Sequence, residues 1–215
     1  MPAYNFEKLP DHRAVLAEWE LRAKRPGLAS VMRESHTVEE TEAAAVSMES
    51  AVMSFITRNL GSLAGKRILE IGTGIGRFSR PLAESAESVT TVDMTEAMIV
   101  RAQENLRDLD NITFLKSEIK DLDFEPNQFD LVFDVWVLMH VMDNADFEQS
   151  IAVMTSCAPA VFICEYTDQG DKPVGPYSIL RSVQEYCHSI QIPVSAEDEF
   201  YYGGDRSALI LFEAL

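Results

Sequence analysis

The stretch Ile68-Leu69-Glu70-Ile71-Gly72-Thr73-Gly74-Ile75-Gly76-Arg77-Phe78 decides how the chain is organised, because a short apolar run breaks into alternating glycines and then resumes as a helical pattern. The pattern predicts a strand, a tight turn and a helix. Glycine has no Cβ, so it permits positive φ angles and lets the backbone lie against a ligand at a helix N-terminus. A dinucleotide-binding turn has its third glycine one position later, where this chain has Arg77.

Working outward, the next apolar run, residues 88–93, ends in an acidic residue, Asp93. The motif E-x-G-x-G-x-G, which Glu70 opens, followed by an acid at the end of the next strand, resembles the class I S-adenosylmethionine-dependent methyltransferases of the small-molecule type. The likeness extends over roughly residues 60–215, about the size of one such domain.

Apolar runs alternate with helical patterns along the rest of the chain, which predicts an α/β fold with a parallel sheet buried on both faces. The predicted strands are residues 66–71, 88–93, 112–116, 129–134 and 160–165. Residues 195–202 and 207–214 flank Gly203-Gly204-Asp205 as in a hairpin. With the resemblance, this implies a doubly wound, mostly parallel seven-stranded sheet with an antiparallel C-terminal hairpin.

Two helices are predicted ahead of the glycine turn, at residues 11–24 and 38–60. Thr37 and Glu40 have the spacing of a capping box at the start of the second. The resemblance implies that residues 1–60 form a helical N-terminal cap over a donor-binding domain at residues 61–215. Trp19, Met32 and His36 could then face the substrate, although ordinary packing is the preferred account of each residue taken alone.

Composition limits the partners. The formal charge is −17 and the sequence pI is about 4.5, so the overall field repels nucleic acid and anionic membrane surfaces. The sequence shows no signal peptide and no apolar run long enough for a membrane helix, which predicts a cytoplasmic protein. We expect a monomer or a homodimer. Cys157, Cys164 and Cys187 lack metal-ligand spacing and are predicted to be buried free thiols without a metal.

The resemblance assigns most of the donor-binding residues, since ligands of such sheets lie at the carboxyl ends of the strands. The backbone of the turn would hold the methionyl part and Glu70 its amino group. Asp93 would accept the ribose hydroxyls, or else only help to start the next helix. The predicted donor-binding set is Glu70, Gly72, Thr73, Gly74, Gly76, Asp93, Met94, Glu118, Ile119 and Asp134.

Three residues are predicted to act on the methyl acceptor: His140, Asp134 and Glu165. His140 trails the fourth strand, as in the resembling family, and histidine titrates in the range where a general base is useful. The acidic side chains after strands four and five, Asp168 among them, would suit a cationic acceptor such as an amine or guanidine. Carboxylates are common throughout so acidic a chain, and a lone histidine is often only packed.

The sequence thus predicts transfer of a methyl group from S-adenosylmethionine to a small molecule, to nitrogen in preference to oxygen. Three alternatives stay open: an O-methyltransferase with His140 as base, a catalytically silent donor-binding subunit, and an NAD-dependent oxidoreductase. Arg77 in place of the later glycine argues against the last.

Overall fold

A seven-stranded sheet forms the centre of the computed structural model, which describes residues 12–32, 37–167, 177–202 and 204–214. The strands are β1 (Arg67–Ile71), β2 (Ser88–Asp93), β3 (Ile112–Lys116), β4 (Leu131–Val135), β5 (Ala160–Tyr166), β6 (Val194–Tyr202) and β7 (Asp205–Glu213). The helices are α1 (His12–Arg22), α2 (Val38–Asn59), α3 (Ser79–Ser85), α4 (Glu96–Asn105), α5 (Asn144–Cys157) and α6 (Val183–Ile190).

The strand order is β3-β2-β1-β4-β5-β7-β6. Strands β1 to β5 are parallel, whereas β7 pairs antiparallel with both β5 and β6. The predicted sheet and its C-terminal hairpin are therefore confirmed. The order in which the strands are added reverses between β1 and β4, and the crevice above such a switch point is where α/β sheets bind ligands.

Both faces of the sheet are covered. Helix α2 contributes Met48, Val52 and Phe55 to the core on one face, and α5 and α6 cover the other face with side chains such as Phe147 and Tyr186. Helix α2 therefore packs on one face of the sheet. Of the two N-terminal helices, α1 lies over the crevice and α2 does not. The domain boundary near residue 60 stays a prediction.

Local signals explain where the helices begin. Thr37 Oγ1 accepts from the Glu40 amide at 3.2 Å, and the Thr37 amide donates to Glu40 at 2.9 Å, so the predicted capping box is confirmed. Helix α3 starts at Ser79, later than predicted, because Gly72, Gly74 and Gly76 all have positive φ and extend the turn.

The expectation for the cysteines needs adjusting. Cys157 and Cys164 are buried free thiols, but Cys187 is partly exposed. None of the helices in the described ranges has the length and apolar character needed to span a membrane.

Candidate active site

One large cavity, of about 890 Å³, opens at the carboxyl ends of β1, β2 and β4. Its volume is typical of sites that bind small organic ligands. Most of the predicted site residues line it together: Glu70, Gly72, Thr73, Gly74, Asp93, Met94, Glu118, Ile119 and His140. Gly76, Asp134 and Glu165 do not.

The glycine turn forms one wall of the cavity. Gly72 and Gly74 have φ angles of 76° and 52°, values that residues with a Cβ rarely adopt. A Cβ on Gly74 would lie 2.9 Å from Val31 of the N-terminal cap, and a Cβ on Gly72 would clash with Val137. Gly76 also has positive φ, but it packs against Leu106 away from the cavity, so its role is to shape the turn.

Glu70 lies at the bottom of the cavity and is only 2% exposed. Its Oε2 accepts hydrogen bonds from the hydroxyls of Ser79, at 2.5 Å, and Thr91, at 2.6 Å. Among the described residues none donates to Oε1, which leaves that oxygen for a ligand. Burial raises the pKa of Glu70 to about 7, because the carboxylate has lost most of its water. A cationic ligand group at this point would stabilise the ionised form.

Asp93 joins the glycine turn to the start of α4. Its Oδ2 accepts from the Gly74 amide at 2.9 Å, and its Oδ1 accepts from the amide and hydroxyl of Thr95, both at 2.9 Å. Burial raises the pKa of Asp93 above its ordinary value. Oδ2 keeps a lone pair for a ribose hydroxyl, and the helix-starting role considered from the sequence exists beside it.

Another wall of the cavity is formed by Met94, Glu118 and Ile119. Glu118 is already engaged: His12 Nε2 of α1 lies 2.8 Å from it and Lys120 Nζ lies 3.3 Å from it. The predicted contact of Glu118 with an adenine amino group would therefore share the carboxylate with both. Met94 and Ile119 offer the apolar surface that a flat ring system needs.

His140 lines the cavity at the end of a short 3₁₀ turn after β4. Its Nδ1 lies 2.7 Å from the backbone carbonyl of Tyr177. A carbonyl only accepts, so Nδ1 carries the proton and Nε2 keeps a free lone pair. Burial lowers the pKa of His140 to about 4, so the ring is neutral at physiological pH. This tautomer suits a general base.

Asp134 and Glu165 lie elsewhere, side by side and fully buried under α5 and α6. Burial, reinforced by the neighbouring Glu165, raises the pKa of Asp134 well above its ordinary value, and burial raises the pKa of Glu165 to about 7. Glu165 Oε1 accepts from the Leu138 amide at 2.8 Å. Through this hydrogen bond Glu165 steadies the segment that carries His140. Neither carboxyl group lines the cavity, because the alternation of side chains along β4 and β5 places both on the face that α5 and α6 cover.

The cap closes the cavity with α1 and the turn after it. Trp19 lines the cavity and packs edge-on against His140, with ring centroids 4.9 Å apart. Met32 is 3% exposed and belongs to the core, so the expectation that it faces substrate is wrong. His36 and Asp168 lie outside the described residues.

Comparison with known proteins agrees with this geometry. Residues 68–158 match the family model described as a methyltransferase domain. Phosphoethanolamine N-methyltransferase 1 of Caenorhabditis elegans is 33% identical over 130 residues, which are 60% of this chain and 26% of that protein. Residues 68–158 of this chain are thus similar to a methyltransferase domain. The chain spans about a quarter of the length of that relative.

Solved structures show the same fold as this chain. N-methyltransferase NodS from Bradyrhizobium japonicum, in complex with S-adenosyl-L-homocysteine, superposes with a TM-score of 0.75 at 15% identity, covering 93% of this chain and 98% of that one. Magnesium protoporphyrin IX methyltransferase from Synechocystis PCC 6803 with bound S-adenosylmethionine gives 0.75 at 16% identity, covering 96% and 98%. At such identities the likeness concerns the fold alone.

Two residues that line the cavity, Trp136 and Arg77, were not predicted from the sequence as site residues. Trp136 has a φ of 60°, rare for a residue with a Cβ, and its ring stacks on Tyr166 with centroids 4.8 Å apart. Arg77, noted only as the residue in place of a glycine, lies beside it at 5.8 Å. The periodicity of the sequence indicates only that Trp136 and Arg77 lie in the core or on the surface. Their position at the cavity depends on contacts with residues distant in sequence.

Proposed function

We propose that this protein transfers a methyl group from S-adenosylmethionine to a small-molecule acceptor, an amine nitrogen in preference to a hydroxyl oxygen. The observation that carries the proposal is that one cavity is lined by the glycine turn, Glu70, Asp93 and His140. The first three fit the donor, and the last fits the proton that the acceptor must lose.

The donor fits the cavity walls part by part. In this proposal Glu70 Oε1 accepts from the methionyl ammonium and Asp93 Oδ2 accepts from a ribose hydroxyl, which is supported by the position of both carboxyl groups at the cavity. Met94 and Ile119 provide an apolar slot for the adenine ring. Gly72 and Gly74 have no side chains, so the backbone of the turn can lie close to the donor.

Transfer requires alignment more than activation. S-adenosylmethionine supplies a methyl group on a positively charged sulfur, which leaves as a neutral thioether. The protein then has to hold the acceptor in line and about 3 Å from that methyl while excluding water. An amine or hydroxyl that gains the methyl group and loses one proton ends neutral, and His140 Nε2 is the group that accepts this proton.

Nitrogen is favoured because the matched relative from Caenorhabditis elegans is named as an N-methyltransferase of phosphoethanolamine. A second candidate, O-methylation, is favoured by the state of His140, since a neutral ring with a free Nε2 suits a hydroxyl that must be deprotonated. The two differ in how much turnover depends on His140. A cationic acceptor contacted by Asp134 or Glu165 forms no part of the proposal, because both carboxyl groups lie behind the cavity wall.

The test is methyl transfer to a panel of acceptors from donor labelled with deuterium on the methyl group. The panel holds primary amines, phosphoethanolamine, guanidines, phenols and carboxylic acids, and mass spectrometry reports the labelled product. Turnover with at least one amine supports the proposal. Turnover with phenols alone replaces it by O-methylation, and donor binding without any transfer would favour a silent subunit.

A further inference from the structure

Arg77 places a guanidinium at the cavity wall without an acidic partner. Its Nη1 and Nη2 lie 3.5 and 3.6 Å from the sulfur of Met48, which is a weak acceptor. The guanidinium carbon Cζ of Arg77 lies 4.3 Å from the centre of the Phe78 ring. Within the part of the chain that the structure describes, no carboxylate, carbonyl or hydroxyl oxygen accepts a hydrogen bond from this group.

Such a group is unusual. A buried charge is normally paired, and arginine presents five N–H donors that need acceptors. Burial lowers the pKa of Arg77 to about 10, which still leaves it charged at physiological pH. Glu49 and Glu70 are close enough to stabilise the charge from a distance, yet neither forms an ion pair with it. Stacking on Phe78 satisfies the flat faces of the guanidinium but none of its donors.

A planar fork of donors that faces a cavity matches the paired oxygens of a carboxylate or phosphate. We propose that Arg77 binds an anionic carboxylate or phosphate group of a ligand held in this cavity. The proposal rests on the proposed function and deepens it. Two ligands can supply the anion: the donor, through its methionyl carboxylate, or the acceptor, through an acidic substituent.

The first experiment separates these sources on the donor side. Calorimetry compares wild type and Arg77→Met with S-adenosylmethionine and with its decarboxylated analogue. If the donor supplies the anion, Arg77→Met weakens binding of S-adenosylmethionine by about 10- to 100-fold, the range expected for charge-assisted hydrogen bonds. Binding of the decarboxylated analogue is then the same for both proteins.

The second experiment addresses the acceptor side. Protein with and without bound S-adenosylhomocysteine is titrated with inorganic phosphate and with phosphoethanolamine, using ethanolamine as the ligand that lacks the anion. If the acceptor supplies the anion, Arg77→Met loses phosphoethanolamine affinity by about 10- to 100-fold and keeps its affinity for S-adenosylmethionine. Ethanolamine binding does not change.

Matched controls separate a ligand contact from a structural role. Arg80→Met removes an equal charge three residues later, where Arg80 pairs with Asp108 at the surface, and should leave all these affinities unchanged. Arg77→Lys keeps the charge without the planar fork and should retain part of the affinity. The melting temperature of ligand-free Arg77→Met should equal or exceed that of wild type, because the change removes an unpaired buried charge.

The inference is overturned if Arg77→Met binds S-adenosylmethionine, phosphate and phosphoethanolamine as wild type does, or if its only effect is a lower melting temperature. Failure of wild type to bind any form of the donor would instead contradict the proposed function. The phosphate titration of the ligand-free protein would then still decide the role of Arg77.

Discussion

At the scale of single residues, the state of His140 makes the sharpest prediction. Because its pKa is lowered to about 4, the base is present above that pH and is lost by protonation below it. Turnover limited by His140 should therefore rise as pH increases through about 4 and show no step near 6.5. A pH profile of kcat measures this, and a limb near 6.5 that disappears in His140→Ala would contradict it.

The size of the His140→Ala effect reports the acceptor atom. With a hydroxyl acceptor kcat should fall by roughly 10²- to 10⁴-fold, the usual contribution of a positioned general base. With an amine already free of its proton the loss should be much smaller. S-adenosylhomocysteine affinity should hardly change in either case, and a large loss of that affinity would place His140 in the donor site.

Glu70 predicts a proton linked to donor binding. Its pKa is about 7 in the free protein, and a methionyl ammonium beside Oε1 favours the ionised carboxylate, so binding at pH 7 should release up to about half a proton from this group. Affinity should therefore rise as pH increases through 7. Calorimetry in buffers of different ionisation enthalpy counts the proton; equal release in Glu70→Gln would assign it to another group.

At the scale of elements, Gly74 tests the turn. Gly74→Ala and Gly65→Ala each put a Cβ at positive φ, with a cost of roughly 1 to 2 kcal/mol. A Cβ at Gly74 also lies 2.9 Å from Val31, whereas nothing lies within 4 Å at Gly65. Gly74→Ala should therefore lose at least as much stability as Gly65→Ala in chemical denaturation, and only Gly74→Ala should lose donor affinity. Normal donor binding by Gly74→Ala would mean that the turn does not hold the donor.

Arg181 tests how the His140 segment is held. Its guanidinium donates to the carbonyls of Leu138, at 3.1 Å, and Val141, at 2.8 Å, on either side of the histidine. Arg181→Met should cost about 3 kcal/mol of unfolding free energy, since two charge-assisted hydrogen bonds are lost. Turnover should fall while S-adenosylhomocysteine affinity holds. Unchanged kcat in the folded variant would show that the segment is held by other contacts.

The positions of the strands and of the glycine turn were predictable because they follow from local signals, whereas the seven-stranded arrangement was implied by the family resemblance. Apolar runs bounded by turns locate the strands, and alternating glycines permit the positive φ angles that the turn adopts. Asp134 and Glu165 show the limit of prediction from local signals. Both lie one residue before the end of a strand, close to the edge of the sheet where the cavity opens, but the face on which each side chain lies depends on strand register. The left-handed backbone of Trp136 has no sequence signal at all.

At the scale of the whole molecule, the cavity combines groups from distant segments under one helix. α1 reaches it through His12 and Trp19, and Arg101 anchors the chain after α1 by donating to the carbonyls of Ala23 and Arg25 at 2.8 and 2.9 Å. The formal charge of −17 surrounds this site with a field that opposes polyanions. A small ligand held between opposite charges inside the cavity is consistent with both observations.

The central claim is that this cavity binds S-adenosylmethionine through the glycine turn and Asp93. The most direct measurement is a calorimetric titration of wild type and Asp93→Ala with S-adenosylmethionine, and of wild type with NAD. We predict one donor site in wild type, no NAD binding, and a loss on the order of 2 to 4 kcal/mol in Asp93→Ala, with the fold intact by circular dichroism. NAD binding without donor binding, or equal donor affinity in the folded variant, would contradict the claim.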